Sequence, residues 1–402
     1  MRSHAILLVV GLALAACTGP APAQVRPGIT VLLADSAHLI KGKRLGLLSN
    51  QTGSDSAGRR DVDLLTAAGY KLTALFSPEH GFRGAEDRPG LPDTRDSASG
   101  LPIYSLYGGK RAAREAALDS VDVLLVDLQD IGARYYTYPA SATQLLREAA
   151  RRKLRLIVLD RPDPIGGQVQ GNLLDPAFRS FVGALAMPMR PGMSLGELAR
   201  LADLDLAIGA NPRVVPAAGW RREQTLWDLG LPFLPPSPNL KDLESLFHYP
   251  GTCLFEGTAL SVGRGTNASF RQIGAPWLDP ARVIAALPLS RLPGVQFRAV
   301  RFTPIAPGDG KYPGTAVEGI RLVLTYEKSY DPTLTAVALL TAIHQVHPDS
   351  LGFRAAGFDR LAGGPALREA VLAGMDPFAI VATWRAPLEE WLRHRQPALL
   401  YK

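Results

Sequence analysis

The stretch FSPEHGFRG, residues 76–84, places Glu79, His80 and Arg83 among Pro78, Gly81 and Gly84 at the end of an apolar run. A solvated loop does not need that density of ionisable groups beside glycine. A reactive loop does: a rigid scaffold presents the side chains, and glycine lets the backbone pass close to a ligand. Other apolar runs also finish in polar groups, at Asn50-Gln51-Thr52, at Asp127 to Asp130, and at Asp160-Arg161. The carboxyl groups among these suit acid–base chemistry. Glycoside hydrolysis needs two of them, one protonated to serve the leaving oxygen and one ionised to activate water or attack carbon. Glu79 is the first candidate, and Asp127 and Asp130 are candidate partners. His80 is placed to orient Glu79 or to bind a hydroxyl. Asp160 is either a ligand contact or an ion-paired strand end. A cation held by His80, Asp127, Asp130 and Asp160 is the rival arrangement, but the chain has no H-x-H and no H-E-x-x-H, so no metal is expected.

The runs that position these groups read as buried parallel strands: RLGLLSN (44–50), LTALFSP (72–78), VDVLLVDLQD (121–130) and RLIVLDRP (155–162). Helical patterns at 59–70 and 141–153 lie between them, the second with Ser141 as expected N-cap. Alternation of this kind predicts an α/β fold, a Rossmann-like, doubly wound, mainly parallel sheet whose chemistry sits at the carboxyl ends of its strands. Ser194 and Glu197 form a capping-box pattern, and FEGTALSVGRGT (255–266) is Gly-rich, with Glu256 and Arg264. Alternating stretches after Pro276 predict a smaller C-terminal α/β domain. The expected division is 29–275 and 276–402.

No G-x-G-x-x-G follows the first strand, and neither a phosphate-binding G-x-x-x-x-G-K-[ST] nor G-x-S-x-G occurs. No dinucleotide and no nucleoside triphosphate are therefore expected, and an esterase is disfavoured. The net charge of +7 is scattered along the 402 residues. It suits an acidic envelope polymer or a membrane surface rather than nucleic acid.

Residues 1–16 have a basic start and an apolar run too short to span a bilayer, the pattern of a signal peptide. LAAC, ending at Cys17, resembles a bacterial lipobox, which implies lipidation of Cys17, a tether over 17–28 and an exported, membrane-anchored envelope protein with its domain facing the periplasm. Cys253 then stands alone and reads as a buried apolar residue rather than a disulfide partner.

SPEHGFRG, DLQDIGARYYTY, VLDRPDPIGG, GMSLGELA, PSPNL, YPGTCLFEGTALSVGRGT and GAPW occur in this order from about residue 30 to the C terminus. Together they resemble the exo-β-N-acetylmuramidase (NamZ-like or YbbC-like) family. The resemblance implies release of terminal, non-reducing N-acetylmuramic acid from peptidoglycan fragments, without a cofactor, in a cleft near the junction of two domains. It places the catalytic glutamate on Glu79 and adds Glu256 to Asp130 and Asp127 as candidate partner. The expected substrate ligands are His80, Arg83, Gln129, Arg134, Tyr136, Asp160, Asn239 and Arg264. Arg83, Arg134 or Arg264 would hold the lactyl carboxylate through the planar guanidinium fork. Gln170 and Pro191 stand where relatives often carry Glu and His. A non-catalytic muropeptide-binding lipoprotein and an exo-glycosidase for another N-acetyl sugar are the alternatives. The oligomeric state is not legible.

Overall fold

A computed structural model describes residues 24–88 and 90–402; the signal peptide and Cys17 lie outside the described residues. The strands are β1 (Arg44–Ser49), β2 (Lys71–Ser77), β3 (Thr94–Arg95), β4 (Pro102–Ser105), β5 (Val123–Asp127), β6 (Arg155–Leu159), β7 (Gln170–Leu173), β8 (Pro188–Arg190), β9 (Arg213–Val215), β10 (Gln272–Ala275), β11 (Val295–Phe302) and β12 (Val317–Leu324). The first helices are α1 (Gly28–Asp35), α2 (Asp61–Ala67), α3 (Arg111–Leu118), α4 (Tyr138–Arg152) and α5 (Leu195–Asp205).

The main sheet runs β3-β4-β2-β1-β5-β6-β9, and every pairing in it is parallel except that of the edge strand β3. This is the expected doubly wound sheet. Its strands alternate between two cores because successive side chains point to opposite faces. Leu124 and Val126 join Leu145, Leu146 and Leu198 of α4 and α5. Val123 and Leu125 join Ile29, Leu32 and Leu65 of α1 and α2. Chain order reverses between β1 and β5, and ligands of such sheets bind in the crevice outside the carboxyl ends at that point.

Helix α4 begins three residues before the expected start. Pro139 fits its first turn, where a backbone N–H would have no intrahelical acceptor. Ser141 is therefore inside the helix, its hydroxyl bonded back to the Thr137 carbonyl at 3.1 Å. The capping box is as expected, with Ser194 and Glu197 exchanging bonds at the head of α5.

Order also starts earlier than the expected tether allows. Arg26 exchanges backbone bonds with Ala218, Val25 is buried beside Trp220, and Gly28 already opens α1. Gly28 lies so close to the sheet that a Cβ would sit 2.4 Å from the Asp160 nitrogen.

The second sheet is antiparallel, β10-β12-β11. Its first strand ends at Ala275, so it begins on the N-terminal side of the expected 275/276 division. The remaining helices are α6 (Leu226–Leu229), α7 (Leu243–Thr252), α8 (Pro280–Ala286), α9 (Pro332–Val346), α10 (Ala355–Ala362), α11 (Ala366–Leu372), α12 (Pro377–Ala382) and α13 (Arg385–His394); α7 and α8 pack on this sheet, and α9 packs on α7 and α8. The C-terminal tail returns to the first sheet, where the Tyr401 hydroxyl donates to Asp160 at 2.6 Å.

Candidate active site

The crevice between β1 and β5 is walled by hydrogen bonds from the strand ends. Asn50 Oδ1 accepts from the Thr52 amide and hydroxyl, and its Nδ2 reaches Tyr138 Oη at 2.6 Å. Tyr138 in turn donates to the Pro236 carbonyl, and Gln51 to that of Pro235. The Pro-rich loop is thereby fastened to the mouth of the crevice.

Glu79 follows β2 through Pro78 and is half-buried. Thr137, the N-cap residue of α4, donates its hydroxyl to Glu79 Oε2 at 2.7 Å. Tyr107 is a further neighbour: burial, followed by the Glu79 charge, raises its pKa. His80 has a left-handed backbone (φ 68°), and its ring bonds the Glu86 carbonyl at 2.7 Å. It shapes the loop rather than pairing with Glu79. Gly84 is required by contact: its φ is +66°, and a Cβ would fall 1.9 Å from the Gln51 amide. Arg83 turns outward to Ser97 and Asp96.

A second group gathers around Glu256. Arg264 Nε lies 2.6 Å from Glu256 Oε1, and its Nη1 lies 3.5 Å from Asp87. Asn239 donates to the other Asp87 oxygen at 2.8 Å. Lys311, from the C-terminal unit, donates to the carbonyls of Phe255, Glu256 and Leu260, and burial pulls its pKa down to about 8. The Asp87 charge contributes to the Tyr107 shift too, so Tyr107 senses both groups. Of the candidate partners for Glu79, Asp127 and Asp130 are buried, whereas the Glu256 side chain is 22% exposed.

Beneath them, Tyr136, Tyr138 and Tyr249 pack edge to face. Asp130 lies against this wall, 4% exposed. Gly132 N donates to its Oδ2 at 3.0 Å, while Oδ1 has no partner. Burial pushes the Asp130 carboxyl up to about 7. The unfolded chain releases this proton near pH 4 and the folded chain only near 7, so the folded state binds more protons in between and loses stability as pH rises through that window. Asp130→Asn should flatten the decline. The measurement is the melting temperature of both proteins at pH 5, 6, 7 and 8, and parallel curves would refute the assignment.

The other expected residues sit elsewhere. Asp127 is fully buried and clamped by Arg161, whose Nη2 reaches Oδ2 at 3.1 Å. Burial, then the Asp127 charge, raises the pKa of the neighbouring Asp61 well above the usual carboxylate value. Asp160 accepts from Ser194 Oγ, the Gly196 amide and Tyr401 Oη, so it ties α5 and the tail to β6. Arg134 is the clearest departure from expectation. It is 1% exposed and donates to the carbonyls of Asn172, Met187 and Leu361, so it holds the β7–β8 hairpin to α10 and cannot reach a sugar. Gln129 is half-buried and spends its amide on the carbonyls of Asp130 and Pro162. Cys253 is buried, as expected. Gln170 bonds Arg190 away from the cleft. Among the described residues no three His, Cys, Asp or Glu side chains converge to hold a metal ion.

Sequence reasoning missed Tyr107, Asp87, Thr137 and Lys311. Asp87 and Thr137 had a signal, since they lie beside or inside the quoted motifs SPEHGFRG and DLQDIGARYYTY. Lys311 had none.

Comparison with known proteins agrees with this geometry. Residues 45–244 match the family described as exo-beta-N-acetylmuramidase NamZ, N-terminal, and residues 247–401 match its C-terminal counterpart. The peptidoglycan beta-N-acetylmuramidase NamZ of Bacillus subtilis is 37% identical over 94% of this chain and 92% of its own length. Two crystal structures of DUF1343 family proteins from Bacteroides fragilis superpose with TM-scores of 0.85 and 0.76, at 29% and 30% identity. Each covers 94% of this chain and 99% of its own. A crevice at the strand reversal, a glutamate held by a hydroxyl and a matching family over both units lead to one assignment: the chain belongs to the exo-β-N-acetylmuramidase NamZ family.

Proposed function

We propose that this protein is a glycoside hydrolase that releases N-acetylmuramic acid from the non-reducing ends of peptidoglycan fragments, with Glu79 as general acid/base. The observation that carries the reading is the half-buried Glu79 carboxyl just beyond the carboxyl end of β2, bonded by the Thr137 hydroxyl at 2.7 Å. That hydroxyl fixes its orientation, as proton transfer to a leaving oxygen requires. Glu256, paired with the Arg264 guanidinium at 2.6 Å, is the second carboxyl group, to activate water or to attack the anomeric carbon. The proton from Glu79 goes to the glycosidic oxygen, and water supplies the hydroxyl that completes the free sugar.

The test is incubation with a muramic acid–glucosamine disaccharide and with the reversed disaccharide. Free N-acetylmuramic acid should appear from the first only. Release from neither would favour a binding protein, and release of a different terminal sugar would change the substrate.

Arg264 is the arginine positioned to meet the lactyl group. Arg264→Gln should raise KM on muramic acid ends roughly tenfold, the scale of a lost charge-assisted hydrogen bond, and less on N-acetylglucosamine ends. Equal losses on both sugars would remove the lactyl role.

The proposed setting is the cell envelope, with the chain anchored by a lipid on Cys17. Cys17→Ser should move the protein from the membrane to the soluble fraction. An unchanged distribution would end that reading.

A further inference from the structure

Glu256 stands on a short 3₁₀ turn, Cys253–Gly257, and is the only residue of that turn that is not buried. Two elements hold the turn. The first is the start of α10. The Arg354 amide donates to the Gly257 carbonyl at 2.8 Å, and a Cβ on Gly257 would fall 2.5 Å from the Phe358 Cα. The second is Lys311, 5% exposed, from the loop 303–316 between β11 and β12. Its ammonium donates to the carbonyls of Phe255 and Glu256, each at 3.1 Å, and to that of Leu260 at 2.7 Å.

An ammonium has three donors and no acceptor, so three converging carbonyls satisfy it completely. Among the described residues it forms no ion pair, although the charges of Asp309 and Glu256 act on it. Burying a charge without a partner is costly. Fastening the loop does not require that cost. One residue on, the neutral Tyr312 hydroxyl donates to the Ala259 carbonyl at 2.8 Å. What the ammonium adds is convergence, since one atom ties three carbonyls in and just beyond the turn that carries Glu256.

The same loop reaches the other members of the group. The Ile305 amide donates to the Gly265 carbonyl at 3.1 Å, next to Arg264, and a Cβ on Gly308 would lie 2.4 Å from Asp87 Oδ2. Arg264 in turn bonds Glu256 and pairs with Asp87. Glu256 is thus fixed through its backbone by Lys311 and through its carboxyl by Arg264.

Resting on the function proposed above, in which Glu256 is the second carboxyl group, we propose that Lys311 is a positioning residue for the reaction: its ammonium, seated on three carbonyls, holds the turn so that the Glu256 carboxyl meets the anomeric carbon or the attacking water. Lys311 is buried and acts through Glu256 alone. Its contribution therefore belongs to the transition state, where small displacements of a reacting group cost most.

The experiment measures kcat and KM of the full-length protein at about 15 °C, well below the melting range of ordinary domains, on the muramic acid–glucosamine disaccharide. Wild type is compared with Lys311→Met, Glu256→Gln, the double variant and Tyr312→Phe, with a melting curve for each. Lys311→Met keeps a long apolar stem and removes the ammonium. Its kcat should fall by about 10- to 100-fold, the scale of a misplaced catalytic group, while KM changes far less. The double variant should be slower than Glu256→Gln by no more than about twofold, because residues that act as one unit are not additive. Tyr312→Phe should lower the melting temperature and keep kcat.

A Tyr312→Phe loss equal to that of Lys311→Met would reduce Lys311 to a loop anchor and overturn the proposal. Losses that multiply in the double variant would overturn it too, as would wild-type kcat in a folded Lys311→Met protein. If Lys311→Met shows no melting transition, Lys311→Gln, which keeps two donors, takes its place, with an expected kcat loss of about tenfold. Full kcat in Glu256→Gln beside a slow Lys311→Met would end this proposal and the role of Glu256 while leaving the hydrolase reading intact. If the wild type releases no sugar, that reading falls, and calorimetry with N-acetylmuramic acid decides the positioning. Binding that Lys311→Met weakens only where Glu256 is present would keep it, and additive losses or no loss would overturn it.

Discussion

Glu79→Gln should lower kcat on a muramic acid–glucosamine disaccharide by roughly 10²–10⁴-fold, the range of a lost general acid/base. The substitution is nearly isosteric. Its amide oxygen still accepts from Thr137, whose hydroxyl lies on the wild-type carboxyl. The loop geometry rests on other contacts, namely the His80 ring on the Glu86 carbonyl and Gly84 against Gln51. The melting temperature should therefore stay close to wild type and KM should change far less than kcat, the signature of an interaction made chiefly in the transition state. A variant that keeps more than a tenth of wild-type kcat would remove Glu79 from the proton transfer. One that loses activity together with its melting transition would show only that Glu79 supports the fold.

The carboxyl ends of the strands were legible because a buried parallel strand must be apolar on both faces, so the first polar residue marks where it emerges. That rule placed Asn50, Glu79 and Asp130 around one crevice. It says nothing about which way each side chain then turns. Arg134 has the composition of a ligand site, with a glycine and three tyrosines nearby, yet the carbonyls of the β7–β8 hairpin draw it into the core. Arg83 sits four residues from Glu79, but the β3–β4 edge offers Asp96 and Ser97, and the guanidinium goes there. Asp127 and Asp130 are three residues apart in one motif and differ completely. One meets Arg161 and the other meets an amide and an apolar wall. Lys311 arrives from the C-terminal unit, more than fifty residues from Glu256 in sequence, and no local pattern encodes such a meeting.

Arg161→Met should cost on the order of 3–5 kcal/mol, the usual consequence of removing one partner from a buried ion pair. Arg161 is the cation that balances Asp127, and it also donates to the Ser54 carbonyl at 2.6 Å. Burial and the Asp127 charge already raise the pKa of the neighbouring Asp61. Without the guanidinium, Asp127 would be left charged in the interior or forced to take up a proton of its own. At roughly 2–4 °C per kcal/mol for a unit of this size, the melting temperature should fall by about 10 °C or more. Adding Asp127→Asn should recover much of that loss, because a buried charge with no partner costs more than a neutral amide. Both variants should keep kcat on the disaccharide within a few-fold of wild type at 15 °C, since the network lies beneath the crevice and Thr137, Tyr107, Glu256 and Arg264 are untouched. A folded Asp127→Asn/Arg161→Met protein with kcat down a hundredfold would return Asp127 to the chemistry and make it, rather than Glu256, the partner of Glu79. Recovery of the melting temperature with activity intact would fix its role as structural. The parallel sheet then needs this buried pair to close the end of β5, and the cleft above is free to use Glu256.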